Sequence, residues 1–352
     1  MRIINISLDQ SLLDAQSLAH QRLVAYGQSI DEYVVVVPAM ADAQVQAAEH
    51  LSIVGVGGNK ILQLVKIFKF CWRLTGERHF DQITVQDPYY LSLIAWVIAH
   101  CRRSTFEVQI HGFEKENWLR THIAQWTLRH ADVIRVVSQR LKCSLIDKYH
   151  LAEHKIIVIP VFTPITINKR STYEISNPIF TFLTVARLVP VKNISLQLRA
   201  LAILKRDGVV CRLQIVGDGP LRVQLQAEAN TLGLVDQVEF VGWQDKLAPY
   251  YGAADAFLLT SEHEGWGLVV IEAAATSLPI IMTDVGCAGE VIHQDREGLI
   301  IPVGDLEALV AAMKRLATDQ GLRQRLGEAA MATVATLPSY KDLYINKLKH
   351  SV

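Results

Sequence analysis

The 352-residue chain has no surplus of charge, because 35 lysines and arginines are matched by 35 aspartates and glutamates. No global field therefore draws it to nucleic acid, and an anionic ligand must be held by a local site. Cysteine is sparse: Cys71, Cys101, Cys143, Cys211 and Cys287 are odd in number, far apart and form no Cys-x-x-Cys pair. That argues against a disulfide framework or a zinc site and for a reducing compartment. No apolar run approaches the length of a membrane span, and the run after Met1 is broken at Asp9, too soon for a signal peptide. A cytoplasmic protein is expected, with peripheral contact at the inner face of a membrane left open. Short internal repeats and low-complexity tracts are also missing.

What is present is an alternation of short β-branched runs with longer segments of helical period, the sign of parallel sheets with crossover helices. The first series has strands at "RIINIS", "EYVVVVP", "QITVQ", "FEVQIHG", "DVIRVVS" and "KIIVIP", with helices at 11–27, 59–75, 89–102 and 117–130. The second has "IFTFLTVAR", "CRLQIVG", "QVEFVG", "AFLLTS", "LPIIMTD" and "GLIIP". Between them, 161–178 is polar, has two prolines and lacks a sustained period, as a linker does. The chain is divided accordingly into a domain at 1–164, a linker at 165–178 and a domain at 179–335. Such paired α/β domains usually bind ligands in the cleft between them.

The stretch "SEHEGWGLVVIEAAATSLPI" sets Glu264 and Glu272 eight positions apart around a Gly-Trp-Gly turn. Glu264 follows the strand "AFLLTS" at its carboxyl end, where open α/β sheets bind ligands. Glu272 is placed in the first turn of an apolar helix, where a carboxylate needs a partner such as a sugar or ribose hydroxyl. Gly265 and Gly267 allow close backbone approach, and the amides that open the helix suit an anion. "TVARLVPVKN" adds Arg187 and Lys192 on a loop stiffened by Pro190. "QIVGDGPLR" brings Gly217, Asp218, Gly219 and Pro220 to the same edge, but Arg222 stands where a dinucleotide fingerprint has its third glycine. Taken singly, each charge is also compatible with ordinary solvated surface.

Taken in order, "ARLVPVKN", "IVGDGP", "VEFVGW", "AFLLTSEHEGWGLVVIEAAATSLPII", "TDVGCAGEVI" and "GLIIPVGDLEALVAAM" resemble the nucleotide-sugar domain of retaining glycosyltransferases with the GT-B fold, specifically glycosyltransferase family 4. The resemblance implies two Rossmann-like parallel-sheet domains facing across a cleft, the first on the acceptor side and the second binding the donor. It implies a hexosyltransferase that moves a sugar from a UDP-, GDP- or ADP-linked donor to a glycan or lipid-linked acceptor, in glycan, glycolipid or polysaccharide synthesis. Glu272 would hold the ribose hydroxyls and Glu264 the donor sugar, while Arg187 and Lys192 would neutralise the diphosphate. The amides of Gly267, Leu268 and Val269 would bind sugar and phosphates, with Gly217, Gly265 and Trp266 completing the donor site. No cofactor beyond the nucleotide-diphosphate-sugar co-substrate and no metal are implied, and no Asp-rich motif accompanies the phosphate motifs. A nucleotide-sugar epimerase or phosphorylase of the same fold, and a non-catalytic sugar-nucleotide-binding scaffold, are the competing readings.

The amino-terminal half fits the resemblance more thinly. "FEVQIHGFE" puts His111 at a strand exit, which implies contact with the transferred sugar near its leaving phosphate and completes a catalytic set of His111, Arg187, Lys192 and Glu264. Ser138 is expected to cap the helix after "DVIRVVS". Where many members of the family have a Gly-Gly loop after the first strand, this chain has Asp9 and Gln10. "VGVGGNK", 54–60, is expected to be a flexible loop. In the helix at 59–75, Ile61, Leu64, Val65, Phe68 and Trp72 share one face and Lys66, Lys69 and Arg73 another. That is either a core helix with a solvated edge or a patch for a membrane surface. The segment 336–352 is expected to be a helix crossing back to the first domain.

Overall fold

A computed structural model describes residues 1–27, 30–112, 118–161 and 179–337. These fall into two compact units, one within Met1–Pro164 and one within Ile165–Leu337. The linker at 165–178, and all but the first two residues of the helix expected at 336–352, lie outside the described residues.

In the first unit the strands are β1 (Arg2–Ile6), β2 (Glu32–Pro38), β3 (Ala43–Ala48), β4 (Leu51–Val56), β5 (Gln82–Val85), β6 (Thr105–Ile110), β7 (Val133–Val136) and β8 (Ile156–Val158). The helices are α1 (Leu18–Gly27), α2 (Lys60–Glu77), α3 (Tyr90–Arg102), α4 (Trp118–His130) and α5 (Gln139–Tyr149). The strands form one sheet in the order β3-β4-β2-β1-β5-β6-β7-β8, parallel except for the antiparallel edge strand β3. Strands covered on both faces carry unbroken apolar runs, as Val34–Val37 does in β2. The direction in which the chain adds strands reverses at β1, whose parallel neighbours are β2 and β5.

The second unit has β9 (Phe180–Val185), β10 (Cys211–Val216), β11 (Val238–Gly242), β12 (Ala256–Leu259), β13 (Ile280–Thr283) and β14 (Gly298–Ile301). Its helices are α6 (Ile194–Arg206), α7 (Arg222–Thr231), α8 (Ala248–Ala253), α9 (Leu268–Ala275), α10 (Leu306–Thr318) and α11 (Gln320–Ala335). The all-parallel order β11-β10-β9-β12-β13-β14 reverses at β9. Phe180, Phe182, Leu201, Leu213, Leu258 and Leu309 are among its core residues.

Every strand expected from the sequence is present, and three local expectations are corrected. The segment 11–27 is not one helix: a 3₁₀ turn at Gln10–Leu13, capped by Asp9, precedes α1. Asp14 accepts the amide of Gln16 and Ser17 accepts that of His20, side-chain bonds that divert the backbone from a continuous helix. "VGVGGNK" is a fixed junction rather than a flexible loop. Val56 ends β4, the Gly57 amide donates to Asp42 at 2.7 Å, and Asn59 caps α2. In α2 the buried stripe is Ile67, Cys71, Leu74 and Thr75, whereas Ile61, Val65 and Trp72 are exposed. Ser138 caps α5 as expected, accepting the Leu141 amide at 3.2 Å.

Candidate functional site

In the second unit the loops leaving β9 and β12 emerge side by side at the reversal point, where an open α/β sheet offers a crevice. The β9 loop carries Arg187, then a 3₁₀ turn at Pro190–Lys192, then Asn193 with φ of 46°, which redirects the chain into α6. The β12 loop is fastened to it. The Glu262 amide donates to the Val191 carbonyl at 2.8 Å, and the Thr260 hydroxyl lies 3.1 Å from the carbonyls of both Lys192 and Asn193. Buried Gln197 donates to Thr260 at 2.8 Å and accepts from Thr184 at 2.7 Å, which braces both loops from below.

These braces bring Lys192 and Glu264 into an ion pair, with side chains only 23% and 13% exposed. The buried Ser261 hydroxyl donates to the same Glu264 oxygen, Oε1, at 2.7 Å. Lys192, Ser261, Glu264 and Val269 line one small pocket with Ala186 and Thr260. Gly267, with φ of 91°, turns the chain into α9, whose first amides face outward from the helix N-terminus. Arg187 is exposed on the rim.

Several expected residues have different immediate roles. Glu272 is the fifth residue of α9 and so lies in its second turn, not its first; its carboxylate accepts the Tyr251 hydroxyl at 2.9 Å. Burial and the Glu272 carboxylate push the Tyr251 phenol well above its ordinary range. Trp266 is buried, and its carbonyl accepts the Cys287 amide at 2.9 Å, which ties the "TDVGCAGEVI" loop beneath the site. Gly217 has φ of 130°, and a Cβ there would sit 2.0 Å from the Ala186 carbonyl oxygen. It thereby sets how closely the β9 and β10 loops approach. Arg222, in place of a third glycine, pairs with Asp218 at 2.7 Å.

His111 belongs to the first unit. It lines a cavity of about 300 Å³ beside the carboxyl ends of β1, β5 and β6 with Gln86, Asp87, Tyr89, Gln109 and Arg120. Although His111 is exposed at the surface, the packing around its ring, followed by the positive charges of Arg135 and Arg22, pushes its pKa down to about 4. The imidazole is therefore neutral near pH 7 and can both donate and accept. Ser261, Gln197, Tyr251 and the Asp87 cavity were not anticipated from the sequence. Ser261 had a usable signal, a polar residue directly after an apolar strand; Tyr251, buried in a short helix, had none.

The comparisons with known proteins bear on this second unit. Residues 167–333 match the family model described as Glycosyl transferases group 1. That segment spans the paired loops, both glutamates and α9. The lipopolysaccharide core biosynthesis glycosyltransferase LpsD of Rhizobium meliloti is 36% identical over 143 residues, 40% of this chain and 42% of LpsD. N-acetyl-alpha-D-glucosaminyl L-malate synthase of Bacillus anthracis is 32% identical over 187 residues, 51% of this chain and 49% of that protein. The matches thus span less than half the length of these relatives. Among solved structures, Anabaena Alr3699/HepE in complex with UDP-glucose superposes with a TM-score of 0.82 at 18% identity, covering all of both chains. The lipopolysaccharide outer core galactosyltransferase WaaB gives 0.80 at 18%, also over both whole chains. The fold is that of the GT-B glycosyltransferases, built from two parallel-sheet α/β units.

Proposed function

We propose that the protein is a retaining glycosyltransferase of family 4 that transfers a hexose from a nucleoside diphosphate sugar to an acceptor hydroxyl. The observation that carries this reading is the paired-loop pocket, where Lys192, Glu264, Ser261 and the opening amides of α9 converge within the segment that matches the glycosyltransferase family. The crystallised neighbour bound to UDP-glucose supports a nucleotide-sugar donor.

In this reading Glu272, held by Tyr251, takes the ribose hydroxyls, and Glu264 takes hydroxyls of the donor sugar. Lys192, Arg187 and the amides of Leu268 and Val269 meet the diphosphate. As the bond between the anomeric carbon and the phosphate oxygen breaks, its electron pair moves to the diphosphate, and these groups stabilise the growing charge. The acceptor oxygen forms the new glycosidic bond on the same face, and its proton passes to the departing phosphate oxygen, which retains the configuration. Neutral His111 contacts the transferred sugar near that oxygen. The site works without a metal, because cationic side chains and helix amides meet the diphosphate. The reading places the enzyme in the cytoplasm, building a glycan, glycolipid or polysaccharide.

The test is incubation with UDP-, GDP- and ADP-linked hexoses, followed by product analysis. Slow hydrolysis or transfer with retained anomeric configuration supports the reading. Inverted product refutes retention, a new nucleotide sugar formed without acceptor indicates an epimerase, and binding without turnover indicates a scaffold.

A further inference from the structure

Every buried side chain of α6 is apolar except that of Gln197, the fourth residue of the helix, which is fully buried. A leucine would fill that place without the cost of burying an amide, which is offset only when both ends of the amide are paired. Both are. The Thr184 hydroxyl, on β9, donates to Gln197 Oε1 at 2.7 Å, and Gln197 Nε2 donates to the Thr260 hydroxyl at 2.8 Å. Thr184 and Thr260 are buried too, so water does not compete for these bonds.

An amide oxygen only accepts and an amide nitrogen only donates, so this chain of bonds runs one way. Thr184 gives its hydrogen to Gln197, and Gln197 gives one to Thr260. Thr260 keeps its own for the carbonyls of Lys192 and Asn193, both 3.1 Å away. Turned over, the same amide would donate to Thr184, which has the Leu258 carbonyl at 3.2 Å as a second acceptor. It would then take the Thr260 hydrogen and release the two carbonyls. Those carbonyls flank a left-handed residue, Asn193, with φ of 46°, a conformation that a side chain keeps only when its surroundings hold it. Lys192 immediately precedes it, so this turn sets where the ammonium points. Beside Thr260, Ser261 donates to Glu264 Oε1 at 2.7 Å, and the Ser261 carbonyl accepts the Thr283 hydroxyl at 2.7 Å. One dipeptide thus serves both members of the ion pair.

We propose that Gln197 and Thr260 are positioning residues for sugar transfer, which fix the Lys192 turn so that its ammonium meets the donor diphosphate. Both are buried, so they act through Lys192 rather than on the donor. The inference rests on the reading of Lys192 and Glu264 as donor-binding groups. It assigns the effect to one directed hydrogen, from Thr260 to the turn, and not to the volume that Thr260 fills. Holding the turn before the donor arrives moves the ordering of the loop from binding to folding.

Two measurements on the full chain test this: hydrogen exchange of the 187–193 amides without ligand, and calorimetric titration with UDP-glucose, GDP-mannose and ADP-glucose. Thr260→Val swaps the hydroxyl for a methyl group. Exchange across 187–193 should quicken, and the sugar nucleotide that binds the wild type should bind about tenfold more weakly, the scale of one buried hydrogen bond. Thr260→Ser should bring both back to within about twofold of wild type. Combining Thr260→Val with Gln197→Met leaves no orphaned amide, so the melting temperature should recover while exchange stays fast and affinity stays low. Should Thr260→Val alone not fold, this double variant carries the test. A purely structural role would instead make affinity follow melting temperature across the set, and that result overturns the proposal. Unchanged exchange in Thr260→Val, or a loss that serine does not rescue, overturns it as well. If none of the three donors binds the wild type, the donor reading fails and takes the role in transfer with it, while exchange alone still decides whether Gln197 and Thr260 hold the turn.

Discussion

Lys192 and Glu264, 72 positions apart in sequence, are ion-paired across the loops that leave β9 and β12, and Ser261 donates to the same carboxylate oxygen. In the proposed reading, the cation that would meet the phosphate and the anion that would meet sugar hydroxyls hold each other in place before any ligand arrives. Side-chain freedom is lost during folding rather than during binding. The arrangement also predicts that the two residues are functionally coupled.

Glu264→Gln keeps the size of the side chain and its bond to Ser261 but removes the charge that holds Lys192. Turnover should fall by about 10²–10³-fold while the melting temperature stays close to wild type, because the pair is partly solvated. Lys192→Ala should do the same, and the double variant should lose less than the product of the two single losses. Steady-state kinetics on the three proteins check this, and strictly multiplicative losses would show that the residues act independently.

Tyr251→Phe deletes only the hydroxyl that donates to Glu272. If Glu272 binds the ribose, the donor KM should rise by about tenfold, the scale of a lost bond to a charged group, with kcat nearly unchanged. A fall in kcat at constant KM would place Glu272 in the chemistry instead.

Gly217→Ala forces a side chain into a left-handed conformation and against the Ala186 carbonyl. A loss of about 1–3 kcal/mol is expected from such strain, together with weakened donor binding as the Arg187 loop shifts. Denaturant unfolding measures the first effect and nucleotide titration the second. Unchanged stability would contradict the close packing of these loops.

His111 sets a pH dependence. Its folded pKa, about 4, is below the 6.5 of the free side chain, so the unfolded state binds its proton first as pH falls. The contribution to stability is complete above about 6.5 and is lost on descending toward about 4. Between those values His111→Asn should lose less melting temperature than wild type. Parallel melting curves for the two proteins would show that the imidazole is not held neutral.

The sequence was most legible where chemistry and burial coincide. Tyr33–Val37 of β2 and Ala256–Leu259 of β12 are buried throughout because both faces of the sheet are covered. The loops that follow them are recognisable by the polar and glycine residues at their exits. The edge pair β3–β4 went unread because "AQVQAA" is made of small and polar residues with weak strand preference, and "LSIVGV" runs into glycines that suggest a loop. Periodicity placed α2 correctly but left open whether the face with Ile61, Val65 and Trp72 is buried, since the helix carries two apolar stripes and only the sheet decides which is buried. Glu264 was legible from its strand exit, whereas the Tyr251 support of Glu272 depends on α8 packing that no local pattern encodes.

The most direct test of the central claim is calorimetric titration of UDP-, GDP- and ADP-hexoses into the wild-type protein and Lys192→Ala. The account predicts that one nucleotide sugar binds the wild type, stabilises it by about 2.7 kcal/mol when present at a hundredfold excess over its Kd, and binds the variant at least tenfold more weakly. Equal affinity for the two proteins, or no binding of any nucleotide sugar, would contradict the placing of the donor diphosphate at Lys192.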